Sequence, residues 1–156
     1  KVMFSDLEDF YKLERAEATF KNLKNYDIVF NNINLLKKNN FLTKNIFNNS
    51  IKSYKNFNYL NIIKGNLLGF CNTGVKVKYL ANMPIPNNII AIDWWIFSII
   101  LIKKKKVKFL KNISSNYRID NSNILGMSKK MDKKKLNLLI NIKINHYLSL
   151  VNFCSK

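Results

Sequence analysis

Apolar and polar positions divide the chain into a series of short elements. Leu13, Ala16, Phe20 and Leu23 recur at spacings of three and four, which puts them on one face of a helix. Ser5 and Glu8 stand ahead of them as an S-x-x-E capping box, in which the two side chains satisfy amides left over by the first turn. Such a helix either packs on its own domain or docks on a partner protein. Tyr26–Phe30 is short and apolar and predicts a strand. Residues 33–51 carry Ile33, Leu35, Leu36, Phe41, Leu42, Ile46 and Ile51 among Asn and Lys and read as a helix, although Asn is a poor helix former. Phe57–Ile63 and Leu67–Cys71 read as strands. Val75, Val77 and Tyr79 alternate with Lys76 and Lys78, a period of two with one apolar and one cationic face. Cys71-Asn72-Thr73-Gly74 reads as the tight turn of a hairpin, and Pro84 and Pro86 interrupt regular structure.

Ile89–Ile102 is the most hydrophobic stretch, closed by Lys103–Lys106. It is shorter than the roughly 20 apolar residues of a membrane span, and it contains Asp93, which is costly in lipid. The favoured reading is a buried core helix, with lysines complementing its C-terminal dipole; the alternative is a membrane-associated segment. Lys103–Lys111 reads as extended, with Val107 and Phe109 on one side and Lys106 and Lys108 on the other. Residues 112–132 are polar and suggest a long loop with some strand. Leu138, Ile140, Ile142 and Ile144 alternate with Leu139, Asn141 and Lys143 and predict a strand, followed by a short helix over 146–153. The plan is α+β: a mainly antiparallel sheet packed against helices, with an N-terminal helical arm at 1–25 and a basic α+β domain at 26–156.

Composition changes that picture. Asn, Lys and Ile number 26, 25 and 20 of 156 residues, against 2 Arg and 4 Ala. These are the residues of A/T-rich codons, and the skew points to an organellar coding origin. Hydrophobic residues make up 47%, enough for a core. The formal net charge of +18 calls for a polyanion. It is unevenly spread: residues 1–27 hold six acids and five bases, and residues 28–156 hold 22 bases and three acids, Asp93, Asp120 and Asp132. Codon bias inflates Lys and Asn, but it does not remove acids. The arm therefore suits protein contact and the body suits nucleic acid.

Catalytic chemistry finds little footing. His146 is the only histidine and has no orienting partner nearby in sequence. Asp93 has no second acid beside it and reads as a helix-start or ion-paired residue. Cys71 and Cys154 are the only cysteines, which excludes a disulfide scaffold and a structural zinc site. Phosphate-binding glycine loops and the G-x-S-x-G elbow are absent. No enzyme, cofactor, metal or small-molecule substrate is expected. Candidate RNA-binding residues are Lys76 and Lys78; Lys103, Lys104, Lys105, Lys106, Lys108 and Lys111; Arg118; Lys129 and Lys130; and Lys133, Lys134 and Lys135. Each can neutralise a phosphate and release a counterion. The dominance of Lys over Arg favours backbone contact over base readout, which suits RNA read by shape.

Three blocks then carry a family resemblance: Asp27-Ile28-Val29-Phe30-Asn31, Lys64-Gly65-Asn66-Leu67-Leu68-Gly69-Phe70 and Gly74-Val75-Lys76-Val77. Together, and with the downstream order of a long helix, a basic extended segment, a loop through Leu125-Gly126-Met127, a strand and a terminal helix, they resemble the large-subunit ribosomal protein family L-five. The resemblance implies a non-catalytic protein of the ribosomal central protuberance. It implies contacts with 5S rRNA, a helix of the large rRNA and the small-subunit head, and it places Lys64, Lys76 and Lys78 on or beside an RNA-facing hairpin. Only Cys71-Asn72-Thr73 stands where the family has a long loop that approaches the P-site tRNA. The leading expectation is a mitochondrial large-subunit ribosomal protein in the matrix, with a plastid as the other organelle. The alternatives are an accessory subunit of an organellar inner-membrane complex, with residues 89–102 at the bilayer, and a different organellar ribosomal protein.

Overall fold

Ile28 opens the strand around which the sheet is built. The structure, a computed structural model, describes residues 1–5, 9–37, 40–48, 51, 57–119 and 132–155. In chain order the elements are β1 (Val2–Met3), α1 (Leu13–Asn22), β2 (Ile28–Lys37), β3 (Asn40–Thr43), α2 (Tyr59–Ile62), β4 (Thr73–Val75), a 3-10 turn (Val77–Tyr79), α3 (Ile92–Ile102), β5 (Val107–Arg118) and α4 (Lys133–Cys154). The fold is α+β. β2 is central: β4 and β3 pair antiparallel with its two ends, β1 adds to β4, and β5 runs parallel along its other side.

Most of β2 is buried, on both faces, which is why Ile28-Val29-Phe30 and Leu35-Leu36 are consecutive apolar residues rather than a clean alternation. Ile28 and Phe30 face the main core, and Val29 packs with Leu23 and Leu110 under α1. Beyond Phe30 the core-facing positions become Ile33 and Leu35, so the alternation changes phase. The change falls at Asn31 and Asn32, which pair with Leu110 and Ser114 and so skip three residues of β5. Both Asn side chains are buried and bonded: Asn31 Nδ2 donates to Ser115 Oγ (2.9 Å), and Asn32 Oδ1 accepts from the Phe47 amide (3.0 Å). These amides tie down the backbone where the ladder slips.

Several expected elements differ. The described residues of 33–51 contain strand, not helix: β2 runs to Lys37, β3 covers Asn40–Thr43, and the Asn34 and Asn32 side chains accept from the Asn45 and Phe47 amides in the irregular backbone after β3. Phe57–Ile63 holds the short helix α2, capped by Asn58, and Leu67–Cys71 is not a strand. β4 stops at Val75, so Val75–Leu80 is not one alternating strand, and Val77 is 53% exposed. Residues 71–74 do not close a hairpin; the buried Asn72 amide instead bridges the Asn31 and Leu67 carbonyls (both 3.1 Å). Residues 138–144 lie within the 22-residue helix α4 rather than in a strand.

The N-terminal helix packs on its own domain, but with an unexpected face inward. Arg15, Thr19 and Leu23 are buried, while Leu13 is 76% and Phe20 39% exposed. Arg15 can be buried because Nε donates to Asn31 Oδ1 and Nη2 to the Phe4 carbonyl, both at 3.0 Å. Thr19 passes so close over Gly74 that a Cβ there would collide with it. The helix starts at Leu13 with no side-chain cap, and the expected capping box includes Glu8, outside the described residues. The apolar run behaves as expected: from Trp94 to Leu101 every residue of α3 is buried, with Asp93 in its first turn. Among the described residues no helix is long and apolar enough to cross a membrane.

Candidate nucleic-acid interface

Asp27 sits just before β2, where three segments meet. Its backbone amide donates to the Lys106 carbonyl (2.8 Å), and its carbonyl accepts from the Lys76 amide (3.1 Å). Its carboxylate takes three more donors: Lys76 Nζ (3.1 Å) and Tyr79 Oη (2.8 Å) on Oδ1, and the Lys106 amide (3.0 Å) on Oδ2. One aspartate thus clasps the turn after β4 to the approach to β5. Partial burial alone would raise its pKa, and is the largest single influence. The bonds from Lys106, Tyr79 and Lys76 together outweigh it and hold the carboxyl below its usual value. The same contact acts in reverse on the phenol: burial, then the bond to Asp27, pushes Tyr79 up to about 12.

Lysines gather around this clasp. Lys78 Nζ lies 5.1 Å and Lys105 Nζ 5.5 Å from the centre of the Tyr79 ring, and Lys108 Nζ lies 5.7 Å from that of Tyr26. The rings give the ammonium groups a weak electrostatic seat without neutralising them. Lys103 lies 5.9 Å from the Phe153 ring, and Lys104 takes a positive φ of 53° in the turn that leaves α3. Two cationic runs far apart in sequence, 76–78 and 103–108, are therefore brought to one end of the sheet. Lys76 is ion-paired within the clasp, whereas Lys78, Lys103, Lys104 and Lys106 are exposed.

The remaining candidates lie on other elements. Lys111 lines a polar hollow of about 480 Å³ with Lys12, Lys44, Glu14, Asn34 and Ser114. Lys64 follows α2, and its carbonyl accepts from Lys143 Nζ (3.2 Å). The Arg118 guanidinium lies 4.6 Å from the centre of the Phe10 ring, and its amide donates to Asp9 Oδ1 (3.0 Å). Lys133, Lys134 and Lys135 form the first turn of α4, where Asp132 Oδ1 accepts from the Lys135 amide (2.7 Å). Lys129 and Lys130 lie outside the described residues.

Asp27, Tyr26, Tyr79, Lys12 and Lys44 are additions that sequence reasoning missed. An acid opening a strand carries no signal of its own when its partners stand 49 and 79 positions away. His146 is buried, stacked on Trp94 with ring centres 3.9 Å apart and joined to Ser98 by a 3.3 Å hydrogen bond. Among the described residues, no group of three His, Cys, Asp or Glu side chains could hold a metal ion. Comparison with protein-family models, with curated proteins and with solved structures finds no match.

Proposed function

We propose that this chain is a structural, non-catalytic constituent of an organellar large ribosomal subunit, in the mitochondrial matrix, bound to rRNA near the central protuberance. The carrying observation is the convergence of Lys78, Lys105, Lys106 and Lys108 around the Asp27 clasp, in a body with 22 bases and three acids. Ammonium groups held on a rigid sheet end can meet phosphates whose spacing is set by folded RNA, with little further ordering cost. The backbone amides of the clasp are already satisfied, so the lysine heads are what the surface offers a ligand. The L-five resemblance of the three blocks supports the reading as a likeness of sequence alone, since residues 71–74 close no hairpin and residues 138–144 are helix rather than strand. The inner-membrane alternative loses its main support, because the apolar run of α3 is buried in the chain's own core.

The test combines co-sedimentation with separated ribosomal subunits and a salt titration of binding to large-subunit rRNA. Recovery with the large subunit and a steep fall in affinity with salt are expected. A flat salt dependence would remove the mechanism. Recovery with the small subunit would keep RNA binding and reject the family.

A further inference from the structure

α4 carries apolar side chains on two opposite sides. Inward, Ile142 and Leu150 are buried, and His146 stacks on Trp94. Outward run Leu136, Ile140, Ile144, Leu148 and Val151, each between 45% and 62% exposed. Steps of four and three residues keep these five on one side of the helix as a ridge roughly 22 Å long. Isolated exposed aliphatic residues are ordinary, but a continuous row of five is not. The inner face already anchors the helix, so the chain's own packing does not account for the row.

We propose that this ridge is the docking site for an amphipathic helix of a neighbouring protein, one whose apolar row is bordered by Asp or Glu. Charge selects among the possible occupants. α4 has Lys133–Lys135 at one end of the ridge and Lys143 on its flank, where its Nζ donates one bond to the Lys64 carbonyl (3.2 Å) and keeps its charge; the helix has no acid within Lys133–Cys154, the nearest being its N-cap Asp132. A second copy would bring the same lysines and another net charge of +18, with no acid on its own ridge to answer them. A helix lying on a bilayer carries Lys or Arg along its polar face and sets bulky aromatics into the lipid. Here Asn137, Asn141, Asn145 and Asn152 lie along one side, Lys143 and the half-buried Tyr147 lie on the other, and the exposed large side chains of the row are aliphatic. An acid-bordered helix meets both needs: its side chains fill the grooves beside the ridge, and its carboxylates face the lysines. The five ridge residues are not RNA-binding candidates, but Lys133–Lys135 beside them are, so an RNA adduct at Ile144 would assign those lysines to RNA and remove the charge argument.

The test places a photo-crosslinking amino acid at Ile144 of the full chain in its own cells, with Glu17 on α1 as the control position, and identifies the adduct by mass spectrometry. The expected adduct is a protein segment with apolar residues every three or four positions and Asp or Glu between them. Its yield should fall about fivefold or more with Lys143→Glu, as a flanking charge pair would require. Adducts on lipid, on RNA, on a second copy or on the chain itself would overturn the proposal, as would a yield no higher than at Glu17. The double variant Ile140→Asp, Leu148→Asp should lose the adduct while its melting midpoint moves by no more than about 2 °C, as surface substitutions do. A fall of many degrees would show that the row belongs to the chain's own core, and would overturn it equally.

Discussion

His146 lies parallel to the Trp94 indole and edge-on to Trp95, and it is 1% exposed. Burial disfavours the imidazolium and lowers its pKa to about 4. The unfolded chain takes up that proton near pH 6.5, so the contribution of neutral His146 is complete above 6.5 and is lost as the pH falls toward 4. The loss should reach roughly 3 kcal/mol. Urea denaturation at pH 7.5 and pH 4 measures it, and His146→Phe, which keeps an aromatic ring against Trp94, should flatten the difference. Asp27 acts in a separate window. Its lowered pKa stabilises the fold above the usual carboxylate range, and that contribution disappears only as the pH drops through its folded value. Acid therefore loosens the α3–α4 contact before it opens the clasp.

At the scale of elements, α4 explains the largest misreading. Residues two apart on a helix point about 200° apart, whereas on a strand they share a face. Apolar residues at 138, 140, 142 and 144 therefore form one face of a strand or two opposite faces of a helix, and periodicity alone favours the first. The two arrangements differ in a measurable way: Ile142→Ala should cost about 2–4 kcal/mol and Ile140→Ala less than about 1. Denaturant midpoints of the two variants decide it, because a strand would make the costs equal. α3 was legible because a bounded apolar run of that length has few uses other than a buried helix. β2 was legible only at its start. The Asn31–Asn32 slip shifts the phase of its alternation, and the bonds that stabilise the slip are made to partners further along the chain, the Ser115 hydroxyl and the Phe47 amide. The stripe on α1 misled because a buried Arg15 was unforeseeable without Asn31 beneath it. Gly74→Ala tests that packing: the new methyl would strike Thr19, so α1 must lift from β4, and a loss of about 1–3 kcal/mol is expected by thermal or urea denaturation.

For the whole molecule, the lysines divide into those that build the cationic surface and those that face a ligand. Lys76 is held by Asp27, so Lys76→Ala should lower stability while leaving the salt slope of RNA binding nearly unchanged. Lys78→Ala, Lys105→Ala and Lys108→Ala should each reduce that slope by about 0.7–0.9, one phosphate contact apiece, with little effect on unfolding. Titrations of the four single variants against salt separate the two roles. The basic patch was thus visible in composition, but its assembly was not, because the sheet joins runs that the sequence keeps apart. The same joining governs how the chain comes into being. Asp27 and Lys106, which lead into β2 and β5, lie 79 positions apart. During synthesis the central strand emerges roughly 4 to 16 seconds before its parallel neighbour. Through that interval one whole margin of β2 has bare amides and carbonyls, an open template for another nascent chain. A product truncated before Val107 would keep that margin bare permanently, and such fragments should aggregate rather than remain as soluble half-proteins.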